Sequence, residues 1–244
     1  MEKVVLVTGA SSGIGREIVR TLASSYEVII HYNNGYENAL NLKEELDNLY
    51  NKDIMMVKCD LSSEEEIDSM LESIYERYNN IDILINNAAI AIDTLLEDKT
   101  KDNFIKILEI NTIAPFLLSK KIGIKMKENK YGNIVNISST NGIDTIYPES
   151  IDYDASKASL ISIGNNMADY LAPYVRVNTI CPGWVNTRMN NELDEEFINK
   201  EKEKILLEKF AEPHEIANVV KFLISDEASY INKSVIRVDG GFKC

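Results

Sequence analysis

Short segments that are almost entirely apolar recur along this chain at 4–7, 27–31, 54–58, 81–86, 133–138, 176–180 and 235–238. Between them lie longer stretches with apolar residues at helical spacing, at 15–24, 36–49, 64–78, 101–127, 153–171 and about 214–223. A strand apolar on both sides has to be covered on both faces, and a strand–helix–strand unit brings successive strands back parallel. The alternation therefore predicts an α/β chain with one doubly wound parallel sheet of about seven strands. Local signals agree: Ser63 with Glu66 predicts a capping box ahead of Ile67, and Pro213 predicts the first residue of a helix.

No linker, repeat or shift in composition divides the 244 residues, so they read as a single domain, 1–244. One stretch departs from the alternation. Residues 186–211 are charged and helical in composition but lie between a strand and the helix after Pro213. A solvated helical pair would satisfy that pattern; a substrate lid over the strand ends is the functional expectation.

The charge balance, 26 basic against 39 acidic residues for a net −13, disfavours nucleic acid and anionic membranes as partners. Three scattered cysteines (Cys59, Cys181 and Cys244) and two histidines (His31 and His214) give neither a disulfide framework nor a metal spacing. They predict buried thiols, no metal and, with no apolar leader after Met1, a cytoplasmic protein.

The first predicted strand runs into Thr8-Gly9-Ala10-Ser11-Ser12-Gly13-Ile14-Gly15 and then directly into a helix. Ile18 stands where a G-x-G-x-x-G motif would have its third glycine, and no Gly-Lys pair makes a Walker loop. The physics is shared nonetheless: glycines let main-chain N–H groups approach a phosphate seated at a helix N-terminus.

Further along come Cys59-Asp60-Leu61-Ser62, Asn86-Asn87-Ala88-Ala89, Glu109-Ile110-Asn111-Thr112, a strand ending in Ser138-Ser139, and Tyr153-Asp154-Ala155-Ser156-Lys157. Cys181-Pro182-Gly183-Trp184-Val185-Asn186-Thr187, 211–217 and Val238-Asp239-Gly240-Gly241 follow. Singly these are weak. Asp60 alone is a loop carboxylate, Asn111 alone a polar helix residue, and one Tyr-x-x-x-Lys is about what chance supplies. Their order carries the information. It resembles the short-chain dehydrogenase/reductase family over the whole chain, and within it the bacterial 3-oxoacyl-(acyl-carrier-protein) reductases. Ala89 departs from the family's usual N-N-A-G. The 14-residue spacing from Ser139 to Tyr153 is one longer than its commonest pattern, which places an insertion in 141–152 and leaves Ser138 as the fallback serine.

Tyr153 and Lys157, four apart, share one helix face, where an ammonium favours the phenolate and tunes an acid/base. The resemblance implies a Rossmann-type oxidoreductase moving a hydride between nicotinamide and a carbonyl or secondary alcohol. It makes Tyr153 the proton donor or acceptor and Ser139 the group orienting the substrate oxygen. Lys157 holds the nicotinamide ribose, and Asn111 supports Lys157 through water. Gly9, Ser11, Ser12, Gly13, Ile14, Gly15, Asn33, Asp60, Leu61, Asn87, Ala88, Pro182, Gly183, Val185 and Thr187 complete the expected cofactor set. Tyr147, Pro148, 90–95 and 184–189 are the expected substrate wall.

The end of the second strand reads His31-Tyr32-Asn33-Asn34, without the carboxylate that binds a ribose 2′-hydroxyl. That favours NADP over NAD. No basic residue grips a 2′-phosphate there either, since Ser12 stands where many relatives carry Arg or Lys, leaving His31, Asn33 or Asn34. The best reading is a 3-oxoacyl-thioester reductase; Lys125, Lys127 and Lys130 read as a solvated helix face or, alternatively, as part of a docking patch for an acidic carrier. Against it stand the acidic Glu192, Asp194, Glu195 and Glu196. A dehydrogenase of a free polyol, sugar, hydroxy acid or hydroxysteroid is the alternative, and a non-catalytic dinucleotide-binding sensor the alternative of another class. A homotetramer is implied by the resemblance, with two-fold interfaces.

Overall fold

In a computed structural model, which describes residues 2–187 and 194–243, every predicted strand is present. They are β1 (Val4–Val7), β2 (Glu27–Tyr32), β3 (Met55–Lys58), β4 (Ile83–Asn86), β5 (Gly132–Ile137), β6 (Val175–Pro182) and β7 (Val235–Val238). All pair in parallel, in the order β3-β2-β1-β4-β5-β6-β7. The chain leaves β1 in one direction to β3 and in the other to β7, so the switch point of this Rossmann-type sheet lies between β1 and β4.

The helices are α1 (Gly13–Leu22), α2 (Tyr36–Tyr50), α3 (Glu64–Arg77), α4 (Lys101–Leu108), α5 (Ala114–Glu128), α6 (Ile151–Leu171), α7 (Glu195–Glu203) and α8 (Pro213–Ile224). Alternate residues of β1 show why its apolar run is unbroken. Val5 and Val7 pack with Ile18, Leu42 and Val220 from α1, α2 and α8. Val4 and Leu6 pack with Ile67, Leu118 and Met167 from α3, α5 and α6. Successive strand side chains point to opposite faces, so both layers close only if every position is apolar.

Three local expectations change. The helix expected over 101–127 is interrupted by one π-helical turn, Glu109–Ile113, where the Ala114 N–H donates to the Glu109 carbonyl. Pro115 supplies the cause. It lacks the N–H that an α-helix would direct at residue 111, and its ring would clash with that carbonyl. At α3 the expected capping box is half made. The Ser63 hydroxyl accepts the Glu66 N–H at 3.2 Å, but the Glu66 carboxylate turns to the Asp60 N–H at 2.7 Å. Pro213 does open α8, and α6 starts two residues before the expected Tyr153.

The lysine patch is misplaced for docking. Lys125 and Lys127 lie in the last turn of α5 and Lys130 just before β5 begins, at the sheet end opposite the strand C-termini. Lys125 sits 3.4 Å from the Tyr75 ring centroid and Lys127 4.5 Å from that of Tyr170. Within 186–211, α7 is the one helix among the described residues. Residues 188–193, including Met189 of the expected wall and Glu192 of the expected acidic set, lie outside the described residues, as does Cys244.

Candidate active site

A cleft of about 920 Å³ opens where the strands end, bordered on one side by the glycine turn and on the other by the loop after β5. Gly9 takes φ +64°, and a Cβ there would lie 2.8 Å from the Ala88 Cα. At Gly15 an added Cβ would come within 2.5 Å of both the Gly9 carbonyl oxygen and the Asn87 amide nitrogen. The turn is thus packed against the end of β4 with no room for side chains. Asn87 holds it there, donating from Nδ2 to the Thr8 and Gly9 carbonyls at 2.8 and 3.2 Å, while its own N–H reaches the Thr8 hydroxyl at 2.9 Å. Ser12 caps α1 with no side-chain bond, so its neighbourhood is free to receive an anion. This cradle fits a dinucleotide pyrophosphate.

His31 does not fit the phosphate-gripping role considered for it. It is 2% exposed. Its Nδ1 accepts the Gly9 N–H at 3.0 Å, and its Nε2, which therefore carries the proton, donates to the Cys59 carbonyl at 3.1 Å. Burial lowers its pKa from 6.5 to about 4, leaving a neutral brace beneath the glycine turn. Between those two values the unfolded chain binds a proton that the native state refuses, so His31 contributes full stability above pH 6.5 and loses it towards pH 4. Stability of the wild type is expected to fall more steeply across this window than that of His31→Gln. The contribution at stake is about 3 kcal/mol, read from urea midpoints at several pH values.

Asp60 lies at the cleft edge, its Oδ1 accepting the Ser62 N–H and hydroxyl at 3.0 and 2.7 Å. Those bonds, with one from Asn33, hold its carboxyl below the usual range. Both Cys59 and Cys181 are free and buried, and burial pushes their thiols up to about 12 and about 11.

The catalytic candidates meet at the other end. Tyr153 and Lys157 stand one turn apart in α6, and the ammonium lies 5.4 Å from the tyrosine ring centroid. Lys157 is 2% exposed and donates to the Ile137 carbonyl at 2.9 Å; burial lowers its pKa to about 8. Burial raises the Tyr153 phenol to about 12, against which the Ser139 hydrogen bond pulls downward. That bond distinguishes the two serines. Ser138 spends its hydroxyl on the Lys157 main-chain carbonyl at 2.8 Å. Ser139 faces the phenol and is oriented by Asn141, at 3.0 Å to the side-chain oxygen and 3.2 Å from the N–H.

Of the catalytic and cofactor residues anticipated from sequence, all line the cleft except Gly15 and Asn111. Gly15 stands behind the turn. Asn111, fully buried in the π-helical turn, exchanges hydrogen bonds with Ile90 in both directions at 2.9 Å and donates to the Ser156 hydroxyl at 3.1 Å. Its side chain therefore anchors the segment after β4 to α6. Of the expected substrate wall, Tyr147, Trp184 and residues of 90–93 line the cleft, whereas Pro148 and Thr94 do not. Leu95 of the same expected segment is exposed, at 56%. Phe242 was not foreseen as wall; the chain end reaches the cleft by an antiparallel bridge between Ile205 and Phe242, which no local pattern announces.

Comparison with known proteins agrees with this geometry. A family model described as enoyl-(acyl carrier protein) reductase matches residues 9–243. The chain is 41% identical over 240 residues to 3-oxoacyl-(acyl-carrier-protein) reductase FabG of Aquifex aeolicus, covering 98% of this chain and 96% of that one. It is 34% identical over 240 residues to the FabG of Thermotoga maritima, covering 98% and 97%. The crystal structure of acetoin dehydrogenase YohF from Salmonella typhimurium superposes with a TM-score of 0.88 at 28% identity, covering 99% of this chain and 96% of that one. With the glycine cradle at the switch point and Ser139, Tyr153 and Lys157 converging at the strand ends, the chain belongs to the short-chain dehydrogenase/reductase family of oxidoreductases.

Proposed function

We propose that the protein reduces 3-oxoacyl thioesters with NADPH, Tyr153 giving the proton and Ser139 holding the substrate oxygen. The observation that carries this reading is the meeting of the Tyr153 phenol, the Ser139 hydroxyl and the buried Lys157 ammonium at one end of a cleft whose other end is the glycine cradle. When bound, the dinucleotide supplies the hydride. The chain's own residues position and protonate. A phenol near 12 is protonated at neutral pH and can donate, while the Ser139 hydrogen bond favours the phenolate it leaves. Main-chain N–H groups at the start of α1, beyond Ser12, hold the pyrophosphate, and Asp60, Leu61 and Asn33 border its adenosine end.

NADPH is the preferred donor on this reading. The residues bordering the cleft beyond β2, namely Asn33, Asn34, Gly35 and Asn38, carry no carboxylate to repel a 2′-phosphate. They also carry no cation, so the preference rests on neutral hydrogen bonds. A kcat/KM advantage of roughly tenfold over NADH is expected, what one hydrogen bond to a charged group provides. Reduced-cofactor absorbance with acetoacetyl-CoA, run with each cofactor, tests donor and reaction together.

One observation favours a second substrate class. Asp93 and Glu149 border the cleft mouth, and the lysines considered for carrier docking lie at the far end of the sheet. A small uncharged hydroxyketone or polyol suits such a mouth better than an anionic carrier. Turnover of acetoin or a polyol without turnover of acetoacetyl-CoA would move the assignment there.

We also propose a homotetramer in the cytoplasm with two-fold interfaces over the α4–α5 face, where Ile105, Ile113, Phe116 and Ile124 stand exposed. No helix among the described residues is long and apolar enough to cross a membrane.

A further inference from the structure

Glu201 lies in α7, a helix whose sequence Glu-Glu-Phe-Ile-Asn-Lys-Glu-Lys-Glu is otherwise dominated by solvent-facing charge. Yet its own side chain is 2% exposed. Burying a carboxylate is costly unless donors surround it, and here three do. One oxygen accepts the Tyr147 hydroxyl at 2.8 Å and the Trp184 indole N–H at 3.2 Å; the other accepts the Lys204 ammonium at 2.5 Å. Burial alone would raise the carboxyl's pKa, but the bonds from Lys204, Tyr147 and Trp184 outweigh it and hold it lowered.

Both aromatic partners line the cleft, and Glu201 stands behind them. They come from the loop after β5 and the loop after β6, so one carboxylate joins three separate segments. The rings also meet directly. Trp184 is edge-on to Tyr147 and Phe197, at centroid distances of 5.9 and 5.6 Å, and stacks on Phe210 at 5.5 Å. Ring packing of this kind tolerates sliding, whereas two hydrogen bonds to one oxygen fix where the phenol and the indole point. We propose that Glu201 is a positioning residue that sets the aromatic wall of the substrate end by orienting Tyr147 and Trp184, and thereby determines substrate affinity. The proposal deepens the oxidoreductase reading and rests on the substrate occupying this end of the cleft.

Trp184 is the single tryptophan of the chain, so its fluorescence reports the bond to Glu201 without reference to activity. In the full-length protein, Glu201→Leu removes both acceptors. Trp184 emission is expected to shift and acrylamide quenching to rise. KM for acetoacetyl-CoA is expected to rise roughly tenfold, with the loss carried by KM rather than kcat. Glu201→Gln keeps one carbonyl acceptor for the two aromatic donors and should restore most of both signals. Tyr147→Phe removes one donor while leaving the ring, so it decides the matter if Glu201→Leu does not fold; an intermediate rise in KM is expected. Unchanged Trp184 quenching together with an unchanged KM in Glu201→Leu, or in Tyr147→Phe, would overturn the proposal. A fluorescence change with KM unmoved would also overturn it, reducing Glu201 to a structural bond. Should the wild type turn over no 3-oxoacyl thioester, the reaction reading fails by itself. KM is then read with the ketone that is turned over, and the same outcomes decide the role of Glu201.

Discussion

Tyr153→Phe is expected to lower kcat by about 10²–10⁴-fold, the range that a positioned general acid contributes, with dinucleotide affinity held within a few-fold. The ring survives the substitution, so the packing of α6 against the loop after β5 has no reason to change. What is lost is one hydroxyl, the group that Ser139 hydrogen-bonds. Neither neighbour can replace it. The Ser139 hydroxyl already donates to the Asn141 side chain, and Lys157 points its ammonium at the Ile137 carbonyl. Steady-state turnover, paired with a direct titration of reduced dinucleotide binding, separates the acid role from a folding defect. Retained turnover in the phenylalanine variant would remove Tyr153 from the proton-transfer step.

Lys99→Met is expected to be the most destabilising of the substitutions considered, costing about 3–5 kcal/mol, the figure for breaking one side of a buried ion pair. Lys99 and Asp152 meet at 2.8 Å with side-chain exposures of 7% and 0%. Lys99 also donates to the Ile92 carbonyl, and Asp152 accepts the Tyr153 N–H at 3.0 Å. Without the ammonium, a carboxylate is left inside the protein next to the catalytic helix turn. For a chain of this size each kcal/mol moves the melting temperature by about 2–4 °C, so a drop on the order of 10 °C should be visible by calorimetry. Adding Asp152→Asn should recover most of it, because Asn keeps an acceptor for the Tyr153 N–H and carries no charge. A double variant as unstable as Lys99→Met would show that the lysine stem's packing, not the charge, is what matters.

Much of this was legible in the sequence because the constraints are local. Strands buried on both faces are largely apolar, so β1, β2 and β4 announce themselves, and the alternation with helices picks out the rest. The glycine turn is legible because Gly9 and Gly15 leave no room for side chains, and Tyr153 with Lys157 because four residues make one helix turn. The π-helical turn at Asn111 was hidden, since one widened turn barely disturbs the apolar period; Pro115 was the available signal. His31 looked like a phosphate ligand because a sequence shows its place at the strand end but not its burial. For Lys125, Lys127 and Lys130 both a solvated face and a docking patch stayed open, because sequence gives charge without saying which end of the sheet carries it. Glu201 was unreadable among the other acidic residues of α7, since its partners lie 54 and 17 residues away.

The cradle and the acid share no secondary-structure element. One follows β1, the other lies beyond β5, and β4 stands between them. Each joint is pinned by side chains as well as by the ladder. The Thr8 hydroxyl accepts the Asn87 and Ala88 N–H groups at 2.9 and 3.0 Å, and Asn86 donates to its registered partner Asn136 at 2.8 Å. A slip of one residue at either joint would displace one end of the cleft by ~3.3 Å and turn every side chain to the wrong face. Productive geometry in a catalytic site tolerates about 0.5 Å. Those threonine and asparagine bonds therefore act as the molecule's calibration marks: they set the span between the phosphate cradle and the proton donor, a distance that neither the cradle nor the donor could fix alone.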